Sequence, residues 1–221
     1  MSAPARAFTV RQVQLLRALF AAAAALMITF SPDHSAAVGL SVFSGFVLAT
    51  ALVLVLAAWL VLPAGQRWPC VVLAALGFVA GMAAGIPAWR TDDVYFGVVT
   101  AWALTTGVAE LIAGLRARRA GDQTARDAIA VGGFGILLGI LLLVIPAGFA
   151  QPYAIEGAGD FVLTGIILGV GMLGGYAAIL AVFLGIAGLT PKRADAVTPA
   201  DDAAQTTDHD SATPAERGGE R

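Results

Sequence analysis

The sequence predicts an all-α, polytopic membrane protein whose six transmembrane helices form three repeated helical hairpins, and three observations predict it. The 221 residues are 58% hydrophobic and only 13% charged, with a mean hydropathy of +0.82, outside the range of soluble domains. Their apolar residues gather in six runs, each long enough to cross a hydrocarbon core of ~30 Å, which takes about 20 helical residues. Prolines and arginines then alternate between the connections, as they do when the chain passes back and forth through a bilayer.

Residues 1–12 read as a cytoplasmic leader carrying Arg6 and Arg11, and the first apolar run, 13–30, is interrupted only by Arg17. Ser35, Ala36 and Ala37 supply the small residues of a signal-peptide cleavage site. The internal repeat described below argues instead that the segment is retained as the first helix. A second span covers 37–62 and stops at Pro63-Ala64-Gly65-Gln66-Arg67; a third covers 70–89 and stops at Arg90-Thr91-Asp92-Asp93. The fourth, 96–115, runs directly into Arg116, Arg118 and Arg119. A fifth occupies 128–150. The sixth, 161–189, exceeds what a bilayer requires and is expected to tilt, to kink near Gly174-Gly175 or to project from the membrane.

Counting Lys and Arg in short connections orients the chain. Arg6, Arg11, Arg17, Arg67, Arg116, Arg118, Arg119, Arg126, Lys192 and Arg193 fall on one side and only Arg90 on the other. Both termini are therefore expected in the cytoplasm of a plasma (inner) membrane. The opposite face is acidic, with Asp33, Asp92, Asp93, Glu156 and Asp160. The net charge of −2 conceals this segregation. After the membrane domain, 13–190, residues 191–221 turn to Ala, Asp, Thr, Pro and Gly, a composition that buries too little apolar surface to fold and reads as a disordered cytoplasmic tail.

Pro32, Pro87 and Pro146 close the odd-numbered spans at intervals of 55 and 59 residues, the length of one hairpin with its connections, which suggests three duplicated units of parallel topology. Small residues four apart lie on one helix face and let two backbones approach. Gly77, Gly81 and Gly85, then Gly135 and Gly139, then Gly165 and Gly169 follow that spacing. They are expected to pack helices within the chain, with contacts between copies of a homo-oligomer as the alternative.

Glu110 is the acidic residue set deepest in an apolar span. Ala103, Thr106, Gly107, Glu110, Ala113 and Gly114 share one helix face, with Leu104, Val108, Leu111 and Leu115 opposite, so the carboxylate points toward protein. An intramembrane carboxylate costs several kcal/mol unless it is paired, protonated or wetted. Glu110 with Thr106 is thus the candidate proton or solute site. The alternative is a structural carboxyl, bonded to Thr106 or another helix or reached by an arginine. Trp59, Trp68 and Trp89 lie at span ends, where interfacial aromatics belong, and Trp102 lies inside.

No His-x-x-x-His, Gly-x-Ser-x-Gly or paired intramembrane carboxylates occur, so catalysis is not expected. Cys70 is the single cysteine, and neither a metal nor a cofactor site is expected. The lipid bilayer is the expected partner and nucleic acid is not; what the tail binds is left open.

Ala101-Trp102-Ala103-Leu104 with Gly107, the Arg116-x-Arg118 exit, Gly132-Gly133-Phe134-Gly135 running to Pro146, and Tyr176-Ala177-Ala178 leading to Gly188-Leu189 resemble the HdeD-like family of short-repeat bacterial membrane proteins. The likeness is best over 95–190. It implies six helices in repeated hairpins and a role in acid or envelope stress tolerance, and it brings no catalytic residues with it. The expected function is accordingly non-enzymatic and of HdeD type. A small-solute or proton transporter using Glu110 is the alternative, and a membrane anchor recruiting a partner through 191–221 is the third reading.

Overall fold

The computed structural model describes residues 8–122, 125–146, 148–157 and 159–190. Six helices account for most of them: α1 (Val10–Thr29), α2 (Ala36–Leu60), α3 (Trp68–Gly85), α4 (Asp92–Arg119), α5 (Ala125–Val144) and α6 (Gly165–Leu189). All six are long and apolar enough to cross a membrane, and the protein is a multi-pass integral membrane protein. The leader through residue 7, the tail 191–221 and, with them, Arg6, Lys192 and Arg193 lie outside the described residues.

The helix starts are written locally. Thr9 and Gln12 form a reciprocal capping box at α1, and the hydroxyls of Ser35 and Thr91 accept from the amides of Val38 and Val94 at the starts of α2 and α4. Each satisfies an amide that the helix itself leaves without a partner. On α4, Asp92 and Asp93 occupy the first turn and Arg116, Arg118 and Arg119 the last, so both ends complement the helix dipole.

The helices differ from the expected spans at several ends: α3 stops at Gly85, before a short 3-10 turn at Pro87–Trp89, and the largest difference lies between α5 and α6. Residues 145, 146, 148–150 and 161–164 are not helical; instead β1 (Ala150–Ile155) and β2 (Gly159–Thr164) form an antiparallel hairpin between α5 and α6. Pro146 and Pro152 interrupt helical hydrogen bonding, Gly157 and Gly159 at the turn take left-handed φ values of 81° and 104°, and the cross-strand pair Tyr153 and Phe161 stacks at 5.7 Å. The apparent excess length of the sixth span is therefore strand. Its helical part has 25 residues and runs without a break through Gly174-Gly175.

The helices form a ring in sequence order that closes where α6 packs along α1. Tight and loose seams alternate around it. The close pairs are α2 with α3, α4 with α5, and α6 with α1, each joining the second helix of one hairpin to the first of the next. Glycine creates all three. A Cβ on Gly81 would lie 2.6 Å from Leu48 of α2; one on Gly132 of α5 would lie 2.6 Å from the Leu111 amide of α4; one on Gly174 would lie 2.8 Å from Ile28 of α1.

Of the glycines selected from the sequence, Gly77 and Gly85 also face α2, beside Val47 and Ser44. Gly135 and Gly139 face Gly107 and Leu104 of α4. Gly165 meets the carbonyl of Pro146, and Gly169 meets Tyr95 and Phe96. The hairpin partners themselves, α1–α2, α3–α4 and α5–α6, are the looser seams.

This cyclic pattern has three-fold character. The even-numbered helices are more buried, with 56%, 44% and 44% of their spanning residues inside, against 39%, 33% and 33% for the odd ones. α2 touches both α4 and α6. The second helix of each hairpin therefore lines the centre, and the first stands outside it toward lipid.

Candidate solute site at the centre of the ring

Residues at matching positions of α2, α4 and α6 meet in successive layers. Nearest the proline turns, the three positions are Gly39, Tyr95 and Gly169. Tyr95 fills the space that both glycines leave, its ring 2.8 Å from where a Gly39 Cβ would be, and its hydroxyl donates to the Gly169 carbonyl at 2.9 Å. Seven residues further along each helix stand Phe46, Trp102 and Tyr176. Trp102 meets Phe46 and Tyr176 edge-to-face, both with centroids 6.1 Å away, and Phe43 at 5.1 Å. These two layers close the centre on the proline side by aromatic packing.

Four residues on, Thr50, Thr106 and Leu180 line a cavity of about 30 Å³ that also touches Tyr176, Arg17 and Glu110. It has room for a water molecule. Thr106 does not bond to Glu110; its hydroxyl donates to the Trp102 carbonyl of its own helix at 2.6 Å. The Thr50 hydroxyl is buried with no hydrogen-bond partner among the described residues.

The next layer carries Leu54, Glu110 and Leu184. Two hydrophobic side chains and one carboxylate thus occupy equivalent places, and the carboxylate is answered from outside the triplet. Arg17 of α1 reaches inward, and its Nη2 donates to Glu110 Oε1 at 2.6 Å. Both side chains are largely buried, at 17% and 10% exposure. In a low-dielectric interior neither charge is tolerable alone, and a close pair with a good hydrogen bond offsets the desolvation of both. The arginine that meets Glu110 is thus a residue of α1, and among the described residues none of Arg116, Arg118, Arg119 and Arg126 pairs with it.

Beyond the pair the centre widens into a vestibule of about 610 Å³ at the arginine-rich end. Leu54, Leu73, Leu184 and Val131 supply apolar wall, with Arg17, Glu110, Gln14 and Asp127 among the polar groups at its inner end and Gln66, Arg116 and Asp122 also lining it. Gln14 donates from Nε2 to Asp127 Oδ2 at 3.0 Å. Its own Oε1 and the Nε of Arg17 are buried without partners among the described residues. The vestibule floor therefore offers one acceptor and one donor beside a neutral ion pair. Among the described residues no three His, Cys, Asp or Glu side chains gather as a metal site.

Sequence reasoning singled out Glu110 and Thr106 and the structure places both at the centre, but it missed Arg17, Gln14 and Asp127. A signal existed for the first. Arg17 interrupts an apolar run in the first span, and Gln14, three residues earlier, lies on the same helix face. Counting Arg17 only toward topology hid that an intramembrane cation needs a partner of opposite sign. Nothing in the sequence pairs Gln14 with Asp127, which lies 113 residues away.

Comparison of the chain with family models, with curated proteins and with solved structures returns no match.

Proposed function

We propose that this integral membrane protein admits a small polar solute from the cytoplasmic side to the Arg17–Glu110 pair, as the binding step of a transport cycle, and that it performs no covalent chemistry. One observation carries the reading: an ion pair inside the membrane, at a position where the two equivalent helices have leucine, forms the floor of an open vestibule. Three leucines would pack there at no electrostatic cost, and ionisable side chains facing the interior of a membrane bundle mark solute and ion pathways. Aromatic closure on the far side makes this the inward-open arrangement of such a cycle. The cytoplasmic placement of both termini rests on the arginine distribution.

The test is osmotic swelling of proteoliposomes in iso-osmotic glycine, acetate, methylammonium and urea, followed by light scattering. Swelling in at least one solute, lost in Glu110→Gln, is the expected result. Empty liposomes and protein-containing ones that behave alike in all four would overturn the reading.

A second reading is an HdeD-like role in acid or envelope stress tolerance. It rests on the resemblance over 95–190. Growth of a deletion strain after acid challenge, with and without the Glu110→Gln protein, tests it. Recruitment of a partner through 191–221 rests on composition alone.

A further inference from the structure

The alternation of tight and loose seams leaves a groove on the lipid-facing surface between α3 and α4. Glycine draws α3 onto α2 and α4 onto α5, so the two helices between them part. The resulting groove has a volume of about 570 Å³, within the range of small-molecule sites. Val72 and Leu76 form its α3 wall and Leu104, Val108 and Ile112 its α4 wall. Its axial length from Leu104 to Arg116 is 12 residues, about 18 Å at the helical rise. One leaflet of a ~30 Å hydrocarbon core is about 15 Å deep. The groove thus spans a single leaflet.

Its basic end carries a cation and an aromatic ring. The guanidinium of Arg116 lies over Trp68, 5.1 Å from the ring centroid, a cation–π contact that fixes where the charge sits. Arg116 has no carboxylate partner among the described residues, whose one ion pair is Arg17–Glu110. Its hydrogen-bond donors remain free for a ligand. Trp68 is half-exposed at the start of α3, the depth at which tryptophan marks the membrane–water interface.

The geometry points to a binding site for one anionic phospholipid, its acyl chain in the α3–α4 groove and its phosphate on Arg116. Charge complementarity and the one-leaflet length commit the site to a lipid. A soluble phosphate would leave the apolar length empty, and a zwitterionic lipid would gain less from a cation without a counter-charge. Trp68 and Arg116 also line the vestibule, so a lipid held there would brace its rim. The site stands independently of the solute reading above.

Native mass spectrometry of the full chain, delipidated in mild detergent and titrated with dioleoyl phosphatidylglycerol or dioleoyl phosphatidylcholine, tests this, with thermal unfolding in parallel. Phosphatidylglycerol is expected to bind more tightly and to raise the unfolding temperature. Arg116→Gln is expected to weaken its binding about fivefold, the effect of one basic residue near an anionic headgroup. Arg119→Gln, in the same last turn, leaves binding unchanged, and Val108→Trp, which fills the groove from its exposed side, lowers retention of both lipids. Equal binding of the two lipids, an Arg119→Gln loss as large as that of Arg116→Gln, or stabilisation reproduced by glycerol 3-phosphate alone would each overturn the assignment.

Discussion

Replacing the charges of the Arg17–Glu110 pair together, and then one at a time, separates a pair kept for function from a pair that holds the fold. Glu110→Gln leaves the guanidinium of Arg17 without its counter-charge at a site where the side chain is 17% exposed. Breaking a buried pair by removing one partner costs roughly 3–5 kcal/mol. The vestibule opens onto this pair, which places the expected loss near the lower end, about 3 kcal/mol.

The double variant Arg17→Met with Glu110→Leu is different in kind. It restores a three-leucine layer with Leu54 and Leu184 and removes the desolvation of both ions. Exchanging a buried pair for packed hydrophobic residues is neutral or stabilising by about 1–4 kcal/mol. Reversible unfolding in mixed micelles of dodecyl sulfate and a mild detergent measures both, with solute-driven swelling measured on the same preparations. The single variant should be destabilised, and the double variant should be at least as stable as the parent but inactive. A double variant that loses more than about 2 kcal/mol, a large part of the penalty for breaking the pair outright, would refute the reasoning. The pair would then be a structural clamp between α1 and α4.

Cys70, the single cysteine, lines the vestibule and is half-buried, so a membrane-impermeant maleimide should label it in inside-out vesicles and not in right-side-out ones; the reverse pattern would sink the orientation. At the α4–α5 seam, Gly132→Ala puts a Cβ 2.6 Å from the Leu111 amide and should destabilise by about 1–3 kcal/mol through overpacking. Gly133→Ala meets nothing within 4 Å and should be neutral or stabilising by up to about 1 kcal/mol, so equal unfolding midpoints for the two would contradict the backbone contact. Tyr95→Phe removes the hydroxyl that donates to the Gly169 carbonyl and should cost about 1 kcal/mol, read as an earlier unfolding midpoint with the fold intact by circular dichroism. A reporter fused after Asp122 should be active only as a cytoplasmic fusion, since the connection there lies among Arg116, Arg118, Arg119 and Arg126.

Much of the architecture was legible because bilayer physics is written into local composition. The spans, their stops at Pro32, Pro87 and the Pro63 turn, and the orientation of Glu110 toward protein depend on runs and periodicities contained within about 30 residues. The hairpin at 150–164 was not legible. Tyr153, Ile155, Phe161 and Val162 are apolar in either conformation, and a short apolar run does not distinguish the end of a helix from a strand. That insertion also lengthens the spacing between corresponding residues, from 56 for Phe46 to Trp102 to 74 for Trp102 to Tyr176, so the proline intervals showed the third hairpin but not how its second helix corresponds to the other two.

The sequence by itself determined that this chain lies in a membrane, which ends of its helices are basic, and that Glu110 needed a partner, since each follows from the transfer cost of the residues concerned. Tertiary structure alone decided what that partner is and what the two together enclose. Arg17 and Glu110 are 93 positions apart on helices that are not neighbours in the ring, and they meet because glycine seams set the ring's radius and leave its centre narrow enough for one arginine side chain to cross. The vestibule that ends on them is a property of that spacing, fixed by how closely three pairs of backbones can approach.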